Sequence, residues 1–307
     1  MNKRMAVIDM GTNTFHLLIA DCHPGGFRVQ VRERVAVKIG AGGINHQRIT
    51  PEATERALQA LQSFKTTIDR WRPAQTLAFG TSALRNARNG NEVVQLIERQ
   101  TGIATRIISG QEEADLIYKG VAAAVPWGNA PALVVDIGGG SVEFIIGTQH
   151  QVYWRTSLEI GGQRLLEMFQ QHDPILPEEV RALKAYVAEP LQPVLAQLKK
   201  FQPALLVGSS GTFDTLSEIY CHQQQLTYDA EAGETPFARN AFLPIHQQLL
   251  QRDRAGRMAI PGMIELRVDM IVVACCLIDF LLERHPFEQL RVSTWSLKEG
   301  VLVGNSY

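Results

Sequence analysis

The sequence predicts an α/β protein made of two similar domains. Three observations lead there. The order of three strands followed by helix, strand and helix runs through the first half of the chain and returns in the second. A strand–turn–strand unit at residues 9–20, DMGTNTFHLLIA, overlays residues 136–147, DIGGGSVEFIIG, without a gap. The chain has 307 residues, 45% of them apolar, enough to bury a core in each half.

In the first half, residues 4–10, 15–20 and 27–39 read as strands, with Pro24-Gly25-Gly26 as a turn. Gly40-Ala41-Gly42-Gly43 breaks the third strand. A helix opens with Thr50 as its cap and Pro51 in its first turn. Its apolar stripe is Leu58, Leu61, Ile68 and Trp71, and Pro73 stops it. Residues 75–80 form a strand that ends in Thr81-Ser82-Ala83-Leu84-Arg85. A helix over 92–100 stops at Gly102, and a strand covers 103–108. The run from Ser109 through Glu112 and Glu113 opens a helix to about residue 124. Pro126-Trp127-Gly128-Asn129 marks the domain boundary.

The second half has strands at 133–137, 142–146 and 151–158, and Gly161-Gly162 ends the sheet run. The stretch 178–200 is helical, kinked or split by Pro190 and Pro193. A strand over 204–208 leads into Ser209-Ser210-Gly211-Thr212 and a helix. Residues 223–240 read as a polar, mobile loop. Helices at 241–251 and 264–283, a strand at 290–293 and a helix at 297–303 complete the chain.

The repeated unit carries the chemistry. In residues 132–147 a buried strand delivers Asp136, three glycines (Gly138, Gly139, Gly140) and Ser141. Residues without Cβ let backbone amides close on an anion. Asp136 repels phosphate but can hold a divalent cation that the phosphate shares. The first copy matches Asp9 to Asp136, Gly11 to Gly138 and Thr14 to Ser141. A lone D-x-G-x-x-[ST] turn is more often a plain hairpin; two copies in register, each after an apolar strand, favour a pair of phosphate loops. Two such loops facing each other would clamp one phosphate chain, and hinge closure of the two halves is the motion that goes with it.

Composition narrows the partners. The formal net charge is −1, so no global field draws in polyanions such as nucleic acid, and an anionic ligand needs a local basic lining. Cys22, Cys221, Cys275 and Cys276 form no C-x-x-C and read as reduced, buried thiols of a cytoplasmic protein. The N-terminus lacks an apolar signal core because Asp9 interrupts it. The run 270–282 is broken by Asp279 and is too short to span a bilayer, so no membrane association is expected.

The order of these motifs resembles the actin-like superfamily, and within it most closely the exopolyphosphatase / guanosine pentaphosphate phosphohydrolase family. The residues that carry the resemblance are DMGTNTFHLLIAD (9–21), GTSALRNA (80–87), ISGQEEADLIYKGV (108–121), VVDIGGGSVEF (134–144), GSSGT (208–212) and LKEGVL (297–302). They span nearly the whole chain, and the chain resembles the short, two-domain members. The resemblance implies two actin-like, ribonuclease H-like domains with duplicated βββαβα topology and a cleft between them. Domain I would be 1–126 joined by the helix at 296–307, and domain II would be 127–295. Trp295 stands where the family usually has a small residue, and Lys38 and Lys298 stand where arginine is common. Lysine cannot make the bidentate phosphate fork.

The resemblance makes Glu113 the catalytic carboxylate that activates water, whereas by sequence alone Glu112 and Glu113 could equally serve the helix dipole. Glu112 is assigned to that second role. Asp136 and Glu143, with Asp9 nearby, are candidate ligands of Mg²⁺ or Mn²⁺. Thr12, Asn13 and Thr14 would donate to phosphate from the first loop, Gly138, Gly139, Gly140 and Ser141 from the second. Gly208, Ser209, Ser210, Gly211 and Thr212 form a third loop ahead of a helix. Arg85 would pair bidentately with phosphate, although without the resemblance it is a solvated loop arginine. Lys38, Arg34 and Arg267 are weaker candidates, and Arg267 with Asp269 could instead be an ion pair. The expected activity is release of terminal orthophosphate from polyphosphate, guanosine pentaphosphate or both, by a monomer or a homodimer. A kinase or ATPase on the same fold and a catalytically idle binding protein are the alternatives. Short polyphosphates are expected to be preferred, with Arg28, Arg32 and Arg34 the first residues to examine if long chains bind.

Overall fold

Continuous apolar runs, Met5 to Ile8 and Leu17 to Ala20, are buried on both faces and draw the start of the chain into an antiparallel meander of β1 (Lys3–Met10), β2 (Thr14–His23) and β3 (Gly26–Ala36). The computed structural model describes residues 3–305. Helix α1 (Pro51–Trp71) begins as expected: the Thr50 side chain accepts from the Ala53 amide at 3.2 Å, and Pro51 occupies the first turn. It packs Ala57, Leu61, Phe64 and Ile68 into the core beside Ile8, Leu17 and Ile19. Strand β4 (Gln75–Gly80) pairs parallel with β1. The short α2 (Ser82–Asn86) and α3 (Gly90–Thr101) follow, and α3 ends on left-handed Gly102. Strand β5 (Thr105–Ile107) pairs parallel with β4 and leads into α4 (Gly110–Ala124). The sheet order is β3-β2-β1-β4-β5.

The second half contains β6 (Ala132–Ile137), β7 (Val142–Gly147) and β8 (Val152–Leu158), then α5 (Gly162–Phe169), α6 (Pro177–Ala188) and α7 (Gln192–Phe201). Strand β9 (Leu205–Ser209), α8 (Gly211–Gln224) and β10 (Glu234–Thr235) come next, followed by α9 (Phe242–Leu250), α10 (Arg254–Met258), α11 (Ile271–Arg284) and β11 (Gln289–Ser293). The sheet order is β10-β11-β9-β6-β7-β8. The run β8-β7-β6-β9-β11 therefore repeats β3-β2-β1-β4-β5, and the α/β repeat is one strand longer than three strands plus helix, strand and helix. The duplication is as expected, although each repeat is longer than βββαβα. Contacts divide the chain into two units, with the first break after Gly120, inside α4 rather than at Pro126. The second break follows Ser296, so α12 (Leu297–Val303) belongs to unit 1.

The helical stretch 178–200 is split into α6 and α7 around Pro190, as its prolines predict. Other elements depart from expectation. The helix expected from residue 264 starts only at Ile271, because the chain turns after Gly262, which has φ +92°. Helices α2, α5 and α10 were not expected. The segment 223–240 is anchored by β10, which pairs with Val292 and Ser293 of β11, while Glu234 takes both arms of Arg291. The apolar run at 270–282 is a core helix, fully buried along Ile271 to Ile278. No helix among the described residues is long and apolar enough to cross a membrane. The four cysteines are buried and form no disulfide.

Unit 2 also buries a histidine. His246 on α9 stacks on Phe242 with centroids 5.5 Å apart, and its Nε2 lies 3.7 Å from Asp279, which Lys184 holds at 2.6 Å. Burial pushes the imidazole down to about 4, outweighing the attraction of Asp279 and Glu283 and joined by repulsion from Lys184. A folded value below the ordinary 6.5 means the unfolded chain takes the proton first. This contribution to stability is present above pH 6.5 and is lost as pH falls toward 4, in all on the order of 3 kcal/mol. Replacing His246 by Leu is expected to flatten the fall in urea midpoint between pH 7 and pH 4.5. An unchanged slope would refute the assignment.

Candidate active site

In unit 1 the parallel strands β1, β4 and β5 end at one edge, and each passes the chain to a loop carrying a motif. Carboxyl ends of parallel strands are where such sheets bind ligands. Thr81 ties the first two ends together, its amide and hydroxyl donating to the Met10 carbonyl at 3.4 and 3.2 Å. The Ile108 amide donates to the Gly80 carbonyl at 3.1 Å and adds the third. Arg85, in the last turn of α2, reaches the start of α4. Its Nη1 donates to the Ile108 carbonyl at 3.2 Å and to Oε2 of Glu113 at 2.7 Å. Glu113 is only 8% exposed. Two residues that the sequence named for separate roles thus form one largely buried ion pair. Glu112 faces outward to Arg106 at 2.7 Å, and its amide is capped by the Ser109 hydroxyl.

The repeated turns are built alike. In unit 2 the carbonyls of Gly138, Gly139 and Gly140 accept from the amides of Gly162 (2.9 Å), Gln163 (2.8 Å) and Gly161 (3.1 Å). A trans peptide points its N–H opposite to its C=O. The amides of Gly139, Gly140 and Ser141 are therefore turned away from α5, a row of donors of the kind that holds phosphate oxygens. In unit 1 the carbonyls of Thr12 and Asn13 accept from Gly40 (3.1 Å) and Lys38 (2.8 Å), which turns the Asn13 and Thr14 amides away in the same sense. A Cβ at Gly11 or at Gly138 would stand 3.0 Å from the carbonyl oxygen of Thr14 or Ser141. Lys38 makes its contact from a left-handed backbone, φ 48°.

Residues opposite one another across neighbouring strands share a face of the sheet. In unit 1 that row is Asp9, His16 and Arg34. In unit 2 it is Ser209, Asp136, Glu143 and Ser157. Ser209 and Ser296 donate to Oδ2 of Asp136 at 2.7 and 2.5 Å. Ser141 and Ser157 donate to Oε1 of Glu143, both at 2.7 Å. The two carboxylates are 6% and 1% exposed.

Several expectations change here. The hydroxyls of Ser141 and Ser209 serve carboxylates rather than phosphate, because a buried carboxylate needs donors of its own. Gly208 lies inside β9, where a Cβ would meet the Phe213 ring at 2.1 Å, so packing accounts for it. Ser210 has φ +74°, and its hydroxyl donates to the Ile137 carbonyl at 3.2 Å, which ties the third loop to β6. Thr212 is buried. The Arg267 guanidinium lies against Gly211, where a Cβ would stand 2.1 Å from Nη2, while Asp269 pairs with Arg254 at 2.9 Å. Arg32 donates to the fully buried Glu299 at 2.8 Å and so serves as that carboxylate's structural partner.

The sequence model of the Ppx/GppA phosphatase family matches residues 18–306. The chain belongs to this family. It is 32% identical to exopolyphosphatase 2 of Mycobacterium tuberculosis over 312 aligned positions, covering 97% of each chain. Among solved structures it is similar to an exopolyphosphatase from Cytophaga hutchinsonii, with 41% identity, a TM-score of 0.95 and 99% of each chain covered. It is also similar to the Ppx/GppA family member of Aquifex aeolicus, with 25% identity and a TM-score of 0.80 over 99% of this chain and 98% of that one.

In this member of the Ppx/GppA phosphatase family the donors around Asp136 are of the kind that suits a hard divalent cation. They are carboxylate and hydroxyl oxygens, with each carboxylate fixed through one oxygen by two hydroxyls. The described residues hold no cluster of three or more His, Cys, Asp or Glu placed for a metal. Magnesium needs only one or two carboxylates when phosphate oxygens and water complete its shell. The sequence reading missed Ser157, Ser296 and the segment from Gly161 to Arg164. The glycine pair was a signal, since it follows the third strand of its repeat as Gly40 follows the third strand of the first.

Proposed function

We propose that the chain is a phosphoanhydride hydrolase that releases terminal orthophosphate from inorganic polyphosphate, short chains above all, from guanosine pentaphosphate, or from both. The observation that carries this reading is the Arg85–Glu113 pair, a carboxylate of fixed aim at the carboxyl ends of parallel strands. Glu113 aligns a water and takes its proton as the water oxygen attacks the terminal phosphorus. The bond to the bridging oxygen breaks, and the chain leaves one phosphate shorter with the electron pair on its new terminal oxygen. Arg85 aims the carboxylate and brings positive charge to the incoming phosphoryl group. The backbone amides at Asn13, Thr14, Gly139, Gly140 and Ser141 hold phosphate oxygens. Asp136 and Glu143 would hold Mg²⁺ or Mn²⁺, with Asp9 nearby, and the ion would offset charge on the phosphate oxygens.

The test is phosphate release from polyphosphates of graded length, guanosine pentaphosphate and ATP, each with Mg²⁺, with Mn²⁺ and with excess chelator. Turnover of polyphosphate that needs added metal is expected. The specificity constant per chain should level off at short lengths, since 30 basic residues set against 31 acidic ones leave no net positive excess to add affinity along a long polymer. Hydrolysis of ATP without polyphosphate would overturn the reading, and full activity in chelator would overturn its metal.

A further inference from the structure

We propose that Arg164 is a positioning residue that orients and polarises the Gly138–Ser141 loop from behind, without touching the phosphate; this rests on the reading above. Arg164 lies in the first turn of α5 and is only 9% exposed. Burying a guanidinium is costly unless its donors are matched. Its Nε donates to the Gly140 carbonyl at 2.8 Å, and its Nη2 lies 3.0 Å from Glu159. The same carbonyl accepts from the Gly161 amide at 3.1 Å.

Two donors on one carbonyl occupy both of its lone pairs and fix the plane of the Gly140–Ser141 peptide. The other end of that peptide is the Ser141 amide, which points away from α5. A cation on the carbonyl draws electron density through the peptide and makes that N–H a stronger donor. Ser141 also sends its hydroxyl to Glu143. Arg164 therefore acts at the residue where the row of amides meets the pair of carboxylates. Packing leaves the loop little slack: a Cβ on Gly161 would lie 2.5 Å from the carbonyl carbons of Gly139 and Gly140.

Binding separates this role from plain stability. In the Glu113→Gln background, where turnover is blocked, tripolyphosphate is titrated calorimetrically with Mg²⁺ present and below the melting point of each variant. Adding Arg164→Met should weaken binding by about tenfold, the usual worth of a charge-assisted hydrogen bond. Arg164→Lys should recover only part of this, because ammonium cannot reproduce the Nε geometry. Gln163→Pro gives an independent arm and serves if Arg164→Met does not fold. It removes the amide that donates to Gly139 at a position where a helix tolerates proline, and it should weaken binding likewise. Affinity within about twofold of the Glu113→Gln parent in a folded variant would overturn the role of Arg164. Failure of the Glu113→Gln protein itself to bind tripolyphosphate would overturn the phosphatase reading and this inference with it.

Discussion

Glu113→Gln is expected to lower kcat on polyphosphate by roughly 10²–10⁴-fold, the range for loss of a positioned general base. The amide fills the same volume and can still accept from Arg85, so the loops at the ends of β4 and β5 keep their places. What is lost is the ability to take a proton from water. KM should stay level or fall, because a negative charge is removed from a site that receives phosphate. Steady-state kinetics on short polyphosphates, with a melting curve to show the fold intact, give the answer. A folded variant with more than about a tenth of the parent kcat would exclude Glu113 as the base.

Gly300→Ala should be the most damaging single methyl group in unit 1. A Cβ there would stand 1.8 Å from the carbonyl oxygen of Leu116, 2.8 Å from its carbon and 3.0 Å from the Gly120 nitrogen. These are backbone atoms of α4, so relief requires one helix to move off the other. Leu297, Val301 and Leu302 of α12 are all buried and resist that movement. The cost is on the order of 3 kcal/mol. That corresponds to a fall of about 10 °C in Tm. Because α4 carries Glu113 one turn before Leu116, activity should fall below what the unfolded fraction explains. Differential scanning calorimetry with parallel kinetics tests this, and a Tm within about 2 °C of the parent would show that the helices have slack here.

The sequence reading succeeded where the signals were local. The Thr50 cap, the Pro51 start, the three-strand openings and the span of α12 all depend on neighbours in the chain. It failed where a segment's partners lie far away. Helix α5 has no side-chain cap, because its first amides are taken by glycine carbonyls some twenty residues earlier, so Gly161-Gly162 looked only like the end of a strand. Helix α11 starts late because Pro261-Gly262 and the turn that follows interrupt an apolar pattern that reads as continuous. In the candidate site, residue types were legible but pairings were not. Arg85 and Glu113 were each named, yet nothing in their spacing says that they meet. Ser141 and Ser209 look like phosphate donors until the carboxylates beside them are in view. Arg32 looks like a surface cation until Glu299 arrives from the far end of the chain.

That late arrival bears on how the molecule is made. Unit 1 consists of the first 120 residues and the segment from Leu297 onward, with all of unit 2 encoded between them. As the chain leaves the ribosome, β1 to β5 emerge first but lack α12, and with it the carboxylate for Arg32 and the glycine that lets a helix close on α4. Unit 2 is contiguous and can finish while unit 1 is still open. Synthesis is vectorial, and contacts that join distant residues form slowly. Unit 1 can therefore close only once the segment from Leu297 has been made, after the contiguous unit 2 is already complete in sequence.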